Sequence, residues 1–271
     1  MNFKFFKHMS KKYYLIANWK MNLGISASLS LTREMKSNLL KARVASFLEF
    51  VICPTYPALL SVKEALGNMP IKLGAQDVFW AESGAYTGEV SASTLKELGV
   101  KYVIIGHSER RQYLKESNKM VNQKVKTVLF NDLIPIICVG ETFEERREGL
   151  KDSIITNQVV ASLSEIILKP TQQIIIAYEP VWVIGSGQAV SPEEAEHTHL
   201  VIRQALFDLA YENHWPEIDS LIKQNIWLIY GGSVNEANVK DFLEKKAVEG
   251  LLVGTASLDA HKLFNLIKAI K

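Results

Sequence analysis

Cysteine is nearly absent from this 271-residue sequence: only Cys53 and Cys138 occur, each inside an apolar run. Two such residues make no disulfide framework. A free cysteine in apolar surroundings behaves as a small core residue, which suits a reducing compartment and a cytoplasmic location. No apolar run approaches the ~20 residues that span a bilayer, so no membrane segment is expected. Charge of one sign is not in excess either, with 31 basic residues against 29 acidic ones and a formal net charge of +2. That balance gives no case for nucleic acid or a membrane surface as partner. The turn after the first apolar run lacks GxGxxG, and no Walker loop occurs, which argues against a nucleotide cofactor. Metal-ligand spacing is missing too. His197 and His199 stand two apart on an expected helix and point in different directions.

The first residues, "MNFKFFKHMSKKYY", are basic and aromatic but contain no apolar segment of signal-peptide length. Residues 1–12 are read as a flexible N-terminal extension without assigned function, with Met9 as an alternative start. Residues 13–271 are long enough for one large, well-buried domain, and no linker or change of composition divides them.

What is present is a recurring short apolar run: "YLIAN" (14–18), "FVICP" (50–54), "IKLGA" (71–75), "YVIIG" (102–106), "IPIIC" (134–138), "IIIAY" (174–178), "IWLIY" (226–230) and "LLVGT" (251–255). Each is too uniformly apolar for a strand with one wet face, and reads as a parallel strand covered on both sides. Helical segments lie between them. In 28–48, Leu29, Leu31, Met35, Leu39 and Leu40 share a face. Ser191 followed by Pro192 and two acids reads as a helix cap and first turn, Asn235 as another cap, and "DSIITNQVVASLSEIIL" carries a further apolar stripe. Eight strand–helix units in about 250 residues fit a single closed (β/α)₈ barrel, with a doubly wound open sheet as the alternative.

In such a barrel, functional side chains stand where strands end and βα loops begin. Asn18 and Lys20 follow the first strand, His107 the fourth, Glu179 the sixth, Gly231-Gly232-Ser233 the seventh, and Gly254-Thr255 the eighth. Glu179 precedes Pro180, so its backbone is extended and ends the strand. Partial desolvation at an apolar barrel mouth is expected to raise its pKa and make it a better base. The loop after it, "PVWVIGSGQ", has stiff ends, an apolar middle and two glycines. Such a loop is costly on a wet surface but suits a lid over a carboxylate. His107 stands at an expected helix start, where the dipole disfavours an imidazolium, so a neutral ring that donates to a substrate oxygen is expected. Lys20 offers a fixed positive charge for an anion or a developing oxyanion. The two glycine-rich turns after strands seven and eight place backbone N–H groups where barrels bind phosphate.

The motifs "NWKMN", "GHSERR", "CVGE", "AYEPVW", "YGGSV" and "LVG-ASL" occur together and in this order. From about Tyr14 to the C-terminus the sequence thereby resembles the triosephosphate isomerase family. The resemblance implies interconversion of dihydroxyacetone phosphate and glyceraldehyde 3-phosphate without cofactor or metal. It further implies Glu179 as the base, His107 as the electrophile, Lys20 and Asn18 as substrate contacts, and Glu109 as the acid beside the lysine. Gly185, Ser233, Gly254 and Thr255 match phosphate-binding positions. Residues 74–91 resemble the loop through which the family forms homodimers, with Thr87 reaching into the neighbouring site.

Some residues depart from the family pattern. Val183, Ser186 and Gln188 stand where Ala, Thr and Lys are common, which predicts altered lid rates. Thr255 stands where Gly is usual, and its Cβ would be costly if the position needs positive φ. Asp77 stands where Asn is common, which predicts altered charge and pH dependence at the dimer contact. Two other readings are weighed. A different phosphate-binding barrel enzyme, such as a Schiff-base aldolase, would end its sixth strand on lysine, and a catalytically dead binding barrel would lack one of Lys20, His107 or Glu179. The sequence has Glu179 and retains all three.

Overall fold

The computed structural model describes residues 13–42 and 47–270; the extension expected at residues 1–12 lies outside the described residues. Eight parallel strands close into a barrel in sequence order. They are β1 (Tyr13–Asn18), β2 (Leu48–Cys53), β3 (Ile71–Ala75), β4 (Tyr102–Ile105), β5 (Ile134–Val139), β6 (Ile174–Tyr178), β7 (Ile226–Tyr230) and β8 (Gly250–Val253). Pairing of β1 with β8, from Tyr14↔Gly250 to Ala17↔Val253, closes the ring and excludes the open sheet. All eight apolar runs form strands, with no end displaced by more than two residues. The last apolar run extends two residues beyond β8, so Thr255 lies outside the strand.

The uniformly apolar character of the strands follows from their two covered faces. Tyr14, Ile16, Val51, Cys53, Ile136, Cys138 and Ile175 pack inside the barrel. Their chain neighbours Leu15, Ala17, Ile52, Ile137 and Ile176 pack outward with residues of the surrounding helices. The alternation is the pleat of each strand, and both faces are dry except at Lys72, the one exposed strand residue among the described residues. Both cysteines are free and buried, as their surroundings suggested.

The outer layer comprises α1 (Ile25–Ala42), α2 (Leu59–Leu66), α3 (Ala92–Glu97), α4 (Ser108–Tyr113), α5 (Asn118–Phe130), α6 (Phe143–Arg147), α7 (Lys151–Leu163), α8 (Pro192–Glu212), α9 (Ile218–Asn225), α10 (Val239–Leu243) and α11 (Ala260–Ile270). In α1, Leu31, Met35 and Leu39 recur every four residues and are buried, while Leu29 sits half-buried at the edge of the stripe. That helix begins before the expected 28, and Leu48 already belongs to β2. Ser191 caps α8 by accepting the Glu194 N–H, with Pro192 at the first helical position. The apolar stripe expected to continue to Leu168 leaves the helix at Leu163. Asn235 is not the cap of α10. Asn238 occupies that position, and the Asn235 side chain instead accepts the Ala237 and Asn238 amides in the preceding turn.

Candidate active site

Asn18 is the last residue of β1, and its Oδ1 accepts the Lys20 N–H at 3.0 Å. Lys20 has a φ of 52°, in the left-handed region. That conformation costs roughly 1–2 kcal/mol for a residue with a Cβ. Gln76, one residue past β3, helps to hold it by donating its side-chain amide to the Lys20 carbonyl at 2.8 Å and the Cys53 carbonyl at 2.9 Å. So fixed, Lys20 directs Nζ to Glu109 Oε1 at 2.5 Å.

His107 reaches the same rim through a sharp turn. Gly106, with φ of 71°, turns the chain out of β4, and His107 becomes the cap of α4. Its Nδ1 accepts the Glu109 N–H at 3.2 Å. The ring proton is thereby assigned to Nε2, which faces Glu179 Oε1 at 3.0 Å. The other carboxylate oxygen of Glu179 accepts the Ser108 N–H at 3.0 Å. Both side chains are buried.

Electrostatically this pair differs from the sequence expectation. Burial pushes the Glu179 carboxyl up, but the His107 ring, the Ser108 amide and the Lys20 charge together hold it below its ordinary value. Burial likewise pushes His107 down, yet the facing Glu179 carboxylate overrides it and raises the imidazole. Desolvation and the helix terminus were the effects visible in sequence. The partner that outweighs them arrives from another strand.

The backbone of Glu179 is tightly seated. Its N–H donates to the Val139 carbonyl at 2.7 Å. After Pro180 comes a short 3₁₀ turn, Val181–Val183, and then the loop exposes Gly185 to Gln188. Gly185 and Gly187 adopt φ of 75° and 77°, which the expected glycine freedom supplies. Val183 is buried, so its added bulk packs into the core side of the loop rather than onto the surface. Its carbonyl accepts the hydroxyls of Ser186 at 2.8 Å and Ser233 at 3.2 Å, while Tyr230 Oη accepts the Val190 N–H. The "YGGSV" turn thus grips the loop at two points.

These groups open onto one cavity of about 420 Å³. Asn18, Lys20, His107, Glu179, Gly185, Ser233, Gly254 and Thr255 all line it. Glu109 does not, and acts on the cavity through Lys20 and through its own N–H on His107 Nδ1. Thr255 opens a 3₁₀ turn and is not among the residues with positive φ, so the strain considered for its Cβ does not arise. Among the described residues, no group of three or more His, Cys, Asp or Glu is placed to hold a metal ion.

A family model described as triosephosphate isomerase matches residues 13–270. The chain belongs to the triosephosphate isomerase family. Curated relatives named triosephosphate isomerase include one from Dictyoglomus turgidum, 40% identical and covering 96% of this chain and all of the relative. Another, from Clostridium botulinum strain Langeland, is 39% identical over 93% of this chain and 97% of its own. The crystal structure of triosephosphate isomerase from Bartonella henselae superposes with a TM-score of 0.81 at 34% identity, covering 96% of this chain and 99% of that one.

Within this family member, three contributors to the site escaped the sequence reading. Gln76 lies one residue past β3, a rim position that the strand-end rule marks but whose side chain has no obvious chemistry. Glu141, present in the motif "CVGE" without a role, is buried and accepts the Trp182 indole N–H at 2.9 Å, anchoring the start of the lid loop. Lys262, on α11, lines the cavity and follows no strand directly. Asp77 is buried and paired with Lys124 and Arg110, each at 2.7 Å. Its extra charge is therefore met within the described chain. Burial still raises its pKa against the pull of Lys124.

Proposed function

We propose that this member of the triosephosphate isomerase family interconverts dihydroxyacetone phosphate and D-glyceraldehyde 3-phosphate by proton transfer through an enediolate, without a cofactor. The observation that carries this reading is the Glu179–His107 pair, 3.0 Å apart, on a cavity also lined by Lys20 and the glycine-rich turns after β7 and β8. The turns offer backbone N–H groups to the substrate phosphate. Asn18 and Lys20 hold the oxygen-bearing end, and the lysine charge favours the enediolate oxygen.

In the resting site Glu179 is a weak base, because His107 and the Ser108 amide stabilise its anion. To reach a substrate carbon it leaves both partners for a cavity that the substrate and the lid have emptied of water. Its basicity rises with that move. His107 at the same time loses the carboxylate that raised it. Burial and the Glu109 amide on Nδ1 then keep the ring neutral, with Nε2–H turned to the substrate carbonyl. One motion therefore arms the base and sets the electrophile.

Homodimer formation through residues 74–91 is part of the proposal. Phe79 stacks on Trp80 and packs against Tyr86, giving the loop a rigid base, while Tyr86 is 48% exposed and Thr87 is exposed at the tip. Met21, beside Lys20, is 94% exposed and offers an apolar surface for a second copy to cover. A reducing, cytoplasmic setting agrees with the two free buried cysteines. No helix among the described residues is long and apolar enough to cross a membrane.

The test is isomerisation of glyceraldehyde 3-phosphate, coupled to a dehydrogenase, for the wild type beside Glu179→Ala. Loss of a general base is expected to lower kcat by about 10²–10⁴-fold or more. A folded wild type without activity refutes the isomerase reading, and equal turnover in both proteins refutes the role of Glu179.

A further inference from the structure

We propose that Lys262 is a second cationic contact for the substrate phosphate, a side-chain grip added by α11 to the backbone cradle. The inference rests on the isomerase reading for the substrate's identity, but its anion chemistry stands on the cavity itself. Two lysines line that cavity, Lys20 and Lys262, together with one carboxylate, Glu179. With the histidine neutral, the lining carries a formal charge of +1 only because of Lys262. Without it the charged side chains of the lining sum to zero, and a dianion is left with the backbone N–H groups alone. Lys20 is moreover engaged by Glu109 at 2.5 Å, whereas Lys262 has no salt-bridge partner among the described residues.

An exposed lysine on a helix is commonly just solvated. Two features set Lys262 apart. It faces the same cavity as Gly232, Ser233 and Gly254, whose amides form the expected phosphate site. It also occupies the first turn of the eleven-residue α11, where the helix dipole disfavours a cation. The cap residue Asp259 relieves part of that cost by accepting the His261 and Lys262 amides at 2.8 and 2.9 Å. A bound phosphate would relieve the rest, so the arrangement is more favourable with the anion than without it.

The experiment uses the full chain at low ionic strength, with Lys262→Gln, Lys262→Glu and Lys262→Arg. Steady-state rates give kcat and KM for glyceraldehyde 3-phosphate, and calorimetry gives the affinity for inorganic sulfate. For an exposed lysine pairing with an anion, Lys262→Gln is expected to raise KM and weaken sulfate binding together, by about two- to fivefold, with a smaller change in kcat. Lys262→Glu is expected to exceed that, Lys262→Arg to restore most of it, and turnover of phosphate-free glyceraldehyde to be unaffected. Unchanged sulfate affinity in both the Gln and Glu variants overturns the proposal, as does an equal loss on the phosphate-free triose. A wild type that binds sulfate through Lys262 but isomerises neither triose would sink the isomerase reading and leave this one standing.

Discussion

Gly140 lies just past β5 and has no need of a glycine's backbone freedom, since its φ is not positive. It is small for reasons of space. A Cβ there would lie 1.7 Å from the Glu179 carbonyl oxygen and 2.6 Å from its carbonyl carbon, where real Cβ contacts stay beyond 3.0 Å. Because the obstacle is backbone, no rotamer change relieves it. Gly140→Ala must therefore push the end of β6 away by about 1.3 Å, against the Glu179 N–H···Val139 bond of 2.7 Å. A catalytic group misplaced by ~1 Å costs on the order of 10²-fold in rate. The phosphate turns follow β7 and β8, so KM should change by less than about threefold while kcat takes the loss. The strain should also lower stability by about 1–3 kcal/mol. Gly24→Ala is the control, because nothing lies within 4 Å of a Cβ there and its φ is not positive. The coupled isomerase assay and thermal unfolding read both variants. A folded Gly140→Ala protein with kcat within threefold of wild type would refute the claim that Gly140 sets the base.

Gly231→Ala should behave differently, because its Cβ would meet the Glu179 side chain at Cγ, 2.9 Å away, which can yield, and the Tyr178 carbonyl oxygen at 3.2 Å, which needs to give only a few tenths of an ångström. A lower kcat with unfolding within about 1 kcal/mol of wild type is expected from denaturant titration, and a larger stability loss would contradict it. Gln76→Ala strips the donor from the Lys20 and Cys53 carbonyls and should cost about 1–3 kcal/mol of stability. Released from its left-handed conformation, Lys20 should also lose alignment, so kcat should fall in the same assay; full activity would show that Asn18 holds Lys20 alone. His199 is buried, gives Nδ1 to the Ala247 carbonyl, and is pushed by burial from 6.5 to about 4. The unfolded chain therefore binds the extra proton first, and stability should fall by about 3 kcal/mol as pH drops from 6.5 to 4. Urea titrations should show that slope flattened in His199→Gln, and an identical slope would assign the acid sensitivity elsewhere.

The strands were legible because a parallel barrel dries both faces of each one. Eight short apolar runs, broken internally only at Lys72, announce that directly, and their count and order imply closure. The candidate site residues were legible for a related reason. A lysine, histidine or glutamate placed where such a run stops has been carried to the rim by topology, whatever its neighbours are. What the sequence hid is what depends on pairs from different strands. Desolvation of Glu179 could be inferred from its own run, but His107 stands seventy-two positions earlier in the chain. Their 3.0 Å contact reverses the direction of both shifts. Thr255 was suspected of strain because φ cannot be read from residue type; the helical turn it opens allows any side chain. Asn235 and Asn238 both carry capping chemistry, and which one precedes the helix is decided by the turn between them. Gln76 and Lys262 bear ordinary side chains and gain meaning only from what the fold sets opposite them. Residue type announces chemistry when the residue stands at a strand end, and is silent when it acts through another residue, as Gln76 does, or reaches the cavity from a helix, as Lys262 does. Positioning groups such as Gln76 and Gly140 are therefore where mutation should reveal the most that the sequence does not.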